Sequence, residues 1–185
     1  MQGQAKARRA GRYRGRVPSL ETDTADFLYS IAVFTDYRFF APGHTMSSDK
    51  LFTTIDEIND RLAPLLPGLI GMRVTACAPE RVVAELIVRP DLCTGGGILH
   101  GGAYMAFADT IGAVATVLNL PPDTRTVTVE SKTNFIGGAA VGSKVIGECT
   151  PFHRGKTTMV WQTVVKNEAG KTLAVVSQTQ LVIPL

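Results

Sequence analysis

The sequence predicts an α+β domain in which an antiparallel β-sheet wraps around one long buried helix. Two observations lead to this prediction. Residues His100–Leu118 form a run that is apolar on every helical face and too long for one strand, which indicates a buried helix. Two β-rich runs precede this helix and four follow it, and short turns separate them, so neighbouring strands are expected to pair in antiparallel fashion.

The segment before the central helix predicts one amphipathic helix and a pair of strands. A helix capped by Ser48 or Asp49 is indicated by apolar residues that recur at three- and four-residue steps, and Pro64 and Pro67-Gly68 are expected to end it. The apolar positions are Leu51, Phe52, Ile55, Ile58 and Leu62. The expected strands and the glycine-rich loop after them are residues 70–77, 81–88 and 89–99.

Four strands are expected after the central helix, which Pro121-Pro122 ends. They are Thr124–Phe135, Ser143–Phe152, Thr157–Lys166 and Thr172–Ile183. Residues typical of turns separate them, namely Gly137-Gly138, His153-Arg154-Gly155 and Asn167-Glu168-Ala169-Gly170.

Residues 1–46 are interpreted as a basic, loosely ordered N-terminal extension, and residues 47–185 as the folded domain. Six of the 19 Lys and Arg residues lie within the first 16 positions, whereas the chain from Asp49 onward is balanced in charge. A basic tail alone is weak support for nucleic-acid binding, and no nucleic-acid partner is expected. Met46 is an alternative candidate for the start of translation.

Composition excludes several classes of protein. The chain has 185 residues, of which 45% are hydrophobic, enough for one domain with a substantial core. No run of apolar residues is long enough to span a membrane. Cys77, Cys93 and Cys149 form no CxxC pair and the three histidines are scattered, so neither a disulfide framework nor a metal site is expected. A cytoplasmic location fits this cysteine usage.

Asp109 is the strongest candidate for a catalytic residue. It is the only charged residue between His100 and Leu118, so no cation on the same helix can pair with it. A carboxylate in apolar surroundings has a raised pKa, which suits a general base or a nucleophile near neutral pH. The alternative is a structural role, in which the amides of a neighbouring loop or a distant cation bind the carboxylate.

The tripeptide His100-Gly101-Gly102 opens the same helix and is a candidate oxyanion site. Backbone N–H groups are unpaired at a helix start, and glycine lets a carbonyl oxygen approach them closely. The alternative is that the glycines only permit close packing and that His100 is a core histidine.

The spacing of these residues predicts a dimer. His100 and Asp109 are separated by about 13.5 Å of helix rise, too far for one reacting group to touch both. Two antiparallel copies of the helix would place Asp109 of one chain beside Gly101 and Gly102 of the other. If the residues act together, the sequence predicts a two-fold dimer with two shared sites.

Three segments carry a resemblance to a known family: GILHGGAYMAFADT, TVESKTNFIGGA and HRGKTTMVWQTVV. Together they resemble the hotdog-fold acyl-CoA thioesterases over about residues 50–185. They are most similar to the phenylacetate-degradation (PaaI-like) type, which has HGG and an Asp nine residues after the histidine. The resemblance implies a homodimer or a dimer of dimers with active sites at the subunit interface, an acyl-CoA substrate, and no cofactor beyond the coenzyme A of that substrate.

The resemblance also implies roles for individual residues. The Gly101 amide would polarise the thioester carbonyl, and Asp109 of the partner subunit would act as general base or nucleophile. Thr110 would help to position the water or the carboxylate, and His100 would orient the loop or support the carbonyl. The family usually has Asn or Gln six residues before the histidine to hold the reacting groups, where this sequence has Thr94. Either Thr94 takes this role weakly, with a hydroxyl that is shorter than an amide side chain, or activity on common substrates is low.

Four residues are predicted to contact the coenzyme or the substrate. Arg154 and Lys156 are candidate phosphate contacts on a glycine-containing turn, which could equally be a solvated hairpin tip. Lys132 and Asn134 are weaker candidates on the strand after the helix. Two alternatives to hydrolysis stay open at this point: a hotdog module that binds acyl-CoA without cleaving it, which Thr94 favours, and a hydratase on the same fold, which HGG disfavours.

Overall fold

The computed structural model describes residues 54–185. The interpretation of residues 1–46 and the helix positions Leu51 and Phe52 lie outside the described residues. None of the helices within residues 54–185 is long and apolar enough to cross a membrane.

Two short helices precede the sheet. Helix α1 (Ile55–Leu62) begins with a capping box, in which Thr54 Oγ1 accepts the Glu57 N–H at 3.2 Å and the Glu57 carboxylate accepts the Thr54 N–H at 3.3 Å. The predicted start at Ser48 or Asp49 is therefore wrong, because Thr54 is extended and the helix begins after it. Helix α2 (Leu66–Ile70) occupies the start of the predicted first strand and ends at Gly71, which has a φ of 81°.

Six strands within residues 54–185 form one antiparallel sheet in the order β1-β2-β4-β5-β6-β3, which places β3 at an edge. They are β1 (Arg73–Ala78), β2 (Arg81–Ile87), β3 (Thr124–Phe135), β4 (Lys144–Arg154), β5 (Thr158–Asn167) and β6 (Thr172–Pro184). The four predicted strands after the central helix are confirmed, with ends that differ by one or two residues.

The central helix α3 (Gly101–Val117) packs against one face of this sheet. The closest approach is at Gly147 of β4, where a Cβ would lie 2.5 Å from the Ile111 side chain and 2.8 Å from the Phe107 ring. Trp161 of β5 donates a hydrogen bond from Nε1 to Thr116 Oγ1 of the helix at 2.8 Å, so this buried indole N–H has a partner. A six-stranded antiparallel sheet around one long helix is the hotdog fold, and the predicted fold class is confirmed.

The register of β3 against β6 separates its side chains between the two faces of the sheet. Thr128 lies opposite Gln180, Ser131 opposite Gln178, and Phe135 opposite Ala174, and these residues share the face that α3 covers. A register shift between Thr128 and Glu130 leaves Val129 unpaired. The face of β3 that a side chain occupies therefore decides whether it can meet the helix.

Candidate active site

Asp109 is half-buried on α3 and accepts hydrogen bonds from two neutral side chains of the sheet. Thr128 of β3 donates from Oγ1 to Asp109 Oδ1 at 3.2 Å. Gln178 of β6 donates from Nε2 to the same oxygen at 2.7 Å and to the Asp109 backbone carbonyl at 3.1 Å. Among residues 54–185, neither loop amides nor a cation binds this carboxylate, so the two structural alternatives for Asp109 are not found there.

Burial raises the pKa of Asp109, and the hydrogen bond from Thr128 opposes that increase. The carboxylate is therefore a stronger base than an ordinary surface Asp. Both hydrogen bonds from the sheet end on Oδ1, and Oδ2 accepts none within the described part of the chain. Oδ2 is the oxygen that is left to take a proton or to attack a carbon atom.

His100 caps the start of α3 and is exposed, so it is not a core histidine. Its Nδ1 accepts the Gly102 N–H at 2.9 Å, which requires the proton of a neutral ring to be on Nε2. The Gly102 N–H is thus paired with a side chain of its own helix start, and the contact of Gly102 with a substrate stays a prediction. His100 orients the start of the helix, one of the two roles predicted for it.

The amide of Gly101 is the donor that is left at this helix start, because it donates to no acceptor within residues 54–185. The Phe135 ring lies beside Gly101, where a Cβ would be 3.2 Å from the nearest ring carbon. The ring of Tyr104 meets Phe135 edge-on, with 6.2 Å between the centroids. Phe135, which is itself packed against Tyr104, therefore lies beside the residue whose amide has no acceptor within residues 54–185.

Two of the predicted site residues use their polar groups elsewhere. Thr110 donates from Oγ1 to the carbonyl of Ala106 one turn earlier at 2.8 Å rather than to Asp109. Thr94 is exposed and forms a turn, since its N–H donates to Ile98 and its carbonyl accepts from Gly97. Neither hydroxyl is in contact with Asp109, so the role proposed for each stays a prediction.

The four predicted coenzyme contacts do not gather around Asp109 within one chain. Lys132 and Asn134 alternate with the helix-facing residues of β3, so both project from the opposite face of the sheet. Arg154 is the last residue of β4 rather than part of the turn, and its guanidinium donates to Asn119 Oδ1 at 3.1 Å and to the Pro79 carbonyl at 3.3 Å. Lys156 lies in the turn and is exposed.

Sequence reasoning missed Thr128 and Gln178, the two residues that hold Asp109. A signal for Gln178 was present, because Ala174, Val176 and Val182 at alternate positions of its strand are apolar and buried, and Gln180 is the other buried polar residue of this series. A glutamine on the buried side of a strand must find a hydrogen-bond partner in the core. Thr128 carried no comparable signal, since threonine is common in strands.

The described residues offer no metal site, because no three His, Cys, Asp or Glu side chains are grouped within residues 54–185. Gly101 and Asp109 are eight residues apart on a straight helix, about 12 Å of rise. One thioester group cannot contact both residues of the same chain. Along the same side of α3, Gly102 and Met105 are exposed and Asp109 is half-buried, so the chain's own sheet does not cover this side.

Comparison with known proteins gives concordant matches. Residues 96–174 match the family model described as the thioesterase superfamily. A relative from Deinococcus radiodurans named "Putative esterase" is 36% identical over 112 residues, which cover 58% of this chain and 69% of the relative. The 1,4-dihydroxy-2-naphthoyl-CoA hydrolase of Escherichia coli is 29% identical over 118 residues, 64% of this chain and 86% of that enzyme. A mutant thioesterase structure from Pseudomonas aeruginosa has a TM-score of 0.69 and 26% identity, and the match covers 75% of this chain and 100% of that one.

Proposed function

The chain belongs to the thioesterase superfamily, and on that premise we propose that it hydrolyses an acyl-CoA thioester to a carboxylic acid and free coenzyme A. The observation that carries the proposal is Asp109, a half-buried carboxylate with a raised pKa, no cation partner within residues 54–185, and one oxygen without a hydrogen bond there. Asp109 Oδ2 is not one of the buried atoms that lack a hydrogen-bond partner, so this oxygen is accessible to water or to a substrate.

The proposed site is shared between two copies of the chain. Gly101 of one subunit donates its N–H to the thioester carbonyl oxygen, and Asp109 of the other acts on the carbonyl carbon. The separation of about 12 Å along α3 and the uncovered side of that helix support this arrangement. The coenzyme contacts at Arg154 and Lys156 belong to the same proposal.

The reaction follows from these two groups. As a general base, Asp109 Oδ2 takes a proton from water while the water oxygen attacks the thioester carbon. The Gly101 N–H stabilises the negative oxygen of the tetrahedral intermediate. When the C–S bond breaks, the proton passes to the coenzyme A sulfur, which restores the carboxylate. As a nucleophile, Asp109 would instead attack the thioester carbon and form a mixed anhydride as the C–S bond breaks and coenzyme A leaves as the thiolate, which takes a proton from solvent. Water would then hydrolyse the anhydride and restore the carboxylate.

An aromatic acyl group is the first substrate class to test. The Phe135 ring lies beside Gly101 and meets the Tyr104 ring edge-on, and an aromatic acyl group bound at the Gly101 amide would lie next to Phe135. The Escherichia coli relative is named as a hydrolase of an aromatic acyl-CoA. An Asp nine residues after His100 supports assignment to the phenylacetate-degradation type within the superfamily.

The test is thiol release from a panel of short-chain, medium-chain and aromatic acyl-CoAs, with wild type, Asp109→Asn and Asp109→Ala. Asn keeps an acceptor for the donors of Thr128 and Gln178 but cannot act as a base, so it isolates the chemical role from the packing. Both variants should lose at least about a hundredfold in kcat. Unchanged turnover in both would remove Asp109 from the mechanism.

A mixing experiment tests the shared site. Asp109→Asn and Gly101→Pro subunits are each expected to be inactive, but a heterodimer of the two contains one intact site. Random reassociation of equal amounts makes half of the dimers heterodimeric, so about a quarter of the wild-type activity should return. A mixture that stays inactive after verified exchange would contradict the sharing of sites.

Binding without hydrolysis is the second candidate function. The observation that favours it is Thr94, which stands where the family usually has an amide side chain and which contacts nothing at Asp109 within residues 54–185. Calorimetry separates the two functions. Tight binding of acyl-CoA by a wild-type protein that turns over no member of the panel would establish the binding module.

A further inference from the structure

Gln178 is a buried polar residue of the core that donates hydrogen bonds to Asp109. It lies on β6 beneath α3 and is 1% exposed, so it has no surface with which to contact a substrate. Its Nε2 points at two oxygens of Asp109, the carboxylate Oδ1 at 2.7 Å and the backbone carbonyl at 3.1 Å. A carbonyl only accepts hydrogen bonds, which fixes the amide with its NH2 group towards the aspartate.

The other end of the same amide is unsatisfied. Gln178 Oε1 has no hydrogen-bond partner within residues 54–185 and abuts Gly112 of α3, where a Cβ would collide with it. A buried acceptor without a donor destabilises a protein, and an apolar side chain of the same size would not. Stability of the fold therefore does not account for a glutamine at position 178.

Gln180, two residues along the same strand, provides a contrast. It is fully buried on the same face, but its Nε2 donates to Thr128 Oγ1 and its Oε1 accepts from Thr126, both at 2.8 Å. Gln180 is satisfied at both ends and has no contact with Asp109. The two glutamines lie on the same strand and the same face, and both are buried. Of the two, only Gln178 donates a hydrogen bond to the Asp109 carboxylate.

We propose that Gln178 is a positioning residue for Asp109, and this inference rests on the proposed function. By binding both the backbone and Oδ1 of the aspartate, it fixes the carboxylate rotamer and directs Oδ2 away from the sheet, towards the reacting atoms. A hydrogen bond from its N–H also favours the charged form of the carboxylate and so opposes the effect of burial on the Asp109 pKa. The unsatisfied Oε1 is tolerated because Nε2 serves the reaction.

Within residues 54–185, no other charged group faces Asp109 from the elements packed around it. Helix α3 and strand β6 contain no other charged residue, and Arg125, Glu130 and Lys132 of β3 project from the opposite face of the sheet. The charged residues of β2 and β4 are engaged elsewhere. The pairs are Arg81–Glu148 and Lys144–Glu85, and Arg154 binds Asn119. His153 and Lys166 of β4 and β5 are both exposed and have no hydrogen bond to Asp109. Cys149, the remaining titratable residue of these two strands, is buried, and burial raises its pKa to about 11, so the thiol carries no charge at neutral pH.

The test compares Gln178→Met with the matched control Gln180→Met. Met keeps the length of Gln but has no N–H, so in Gln178→Met the acid limb of kcat/KM should move to higher pH by about one unit. The kcat/KM on the plateau should fall about tenfold or more because the carboxylate is no longer fixed. The melting temperature should stay the same or rise. Gln180→Met should show the reverse, a lower melting temperature with an almost unmoved pH profile.

A second variant leaves Gln178 itself in place. Gly112→Ala adds one methyl group that must displace the Gln178 amide, while alanine favours the helix. It should shift the acid limb in the same direction as Gln178→Met. A pH profile that is unmoved in both variants, although both are folded, would overturn the proposal.

NMR titration of the Asp109 carboxyl carbon separates this proposal from the proposed function. The titration midpoint should rise by about one unit in Gln178→Met and stay fixed in Gln180→Met, whether or not any thioester is hydrolysed. A wild type without turnover on the panel would refute the thioesterase while the titration still decides the role of Gln178. An unchanged midpoint in Gln178→Met would refute the positioning role even in an active enzyme.

Discussion

Replacing Gly101 by proline removes one hydrogen-bond donor and leaves the backbone almost unchanged. Gly101 is the first residue of α3, the helix position at which proline is best tolerated. The preceding residue must be extended before a proline, and His100 already has φ −66° and ψ 142°. The Gly101 N–H donates to nothing within residues 54–185, so its loss breaks no hydrogen bond there.

The expected loss of activity is large because the proposed mechanism assigns this amide to the tetrahedral oxyanion. Removal of one oxyanion donor typically lowers kcat by about a hundred- to a thousandfold, or about 3 to 4 kcal/mol of transition-state stabilisation. Stability should change by less than about 1 kcal/mol, since proline fits the first helical turn. Gly101→Pro is thus predicted to lower activity strongly while it changes stability very little.

The matched control is Gly101→Ala. Both substitutions add a Cβ about 3.2 Å from the Phe135 ring, which is half-exposed and has room to shift. Alanine keeps the N–H and should therefore retain most of the activity. The assay is steady-state thiol release on the best acyl-CoA of the panel, with urea unfolding of each variant. Equal losses in the two variants would assign the effect to the Phe135 contact and refute the oxyanion role of the amide.

Three further predictions concern pH and individual side chains. Because burial raises the pKa of Asp109, its contribution to stability is present below the usual Asp pKa of about 3.9 and is lost as pH rises through the folded-state pKa. Asp109→Asn should therefore raise the free energy of unfolding at about pH 8 but not at about pH 3, and equal effects in the two urea titrations would contradict this. Lys156→Ala should raise KM roughly threefold for acyl-CoAs but not for small thioesters without phosphates, and a parallel rise in both would exclude a phosphate contact. Burial raises the pKa of Cys149 to about 11, so mass spectrometry should find it unmodified by iodoacetamide in the folded protein, and rapid alkylation there would contradict its burial.

Local sequence patterns were sufficient to predict the sheet and the central helix. The apolar run predicted α3 to within a residue at each end, since its cap and its terminating Pro121-Pro122 are local signals. The strand β3 was predicted with its ends as found, because turn residues bound it on both sides. The error at the first helix has a local cause as well, because the Thr54–Glu57 capping box was not recognised.

The sequence predicted the site residues that lie on α3. The residues that bind Asp109 from β3 and β6 were not predicted, because their contacts depend on strand order. Asp109 and the helix start lie on one element, and their unusual residue types are visible in the sequence. The hydrogen bond between Gln178 and Asp109 joins residues 69 positions apart. It forms because β6 lies between β5 and β3 in the sheet, an order that sequence periodicity does not determine. The same lack of register information left the faces of Lys132 and Asn134 undecided.

Two polar residues that interrupt the apolar patterns of α3 and β6 are in contact with each other. Asp109 is the one charge on an otherwise uncharged helix, and Gln178 is one of two polar residues in the buried phase of β6. Asp109 Oδ1 would keep the hydrogen bond from Thr128 without Gln178, and Gln178 Nε2 would keep its hydrogen bond to the Asp109 backbone carbonyl without the carboxylate. Together they satisfy Asp109 Oδ1 and still leave Gln178 Oε1 unpaired, so the pair does not fully offset its own desolvation. A core shaped by stability alone would be expected to carry apolar side chains at both positions, which makes function the better explanation of the pair.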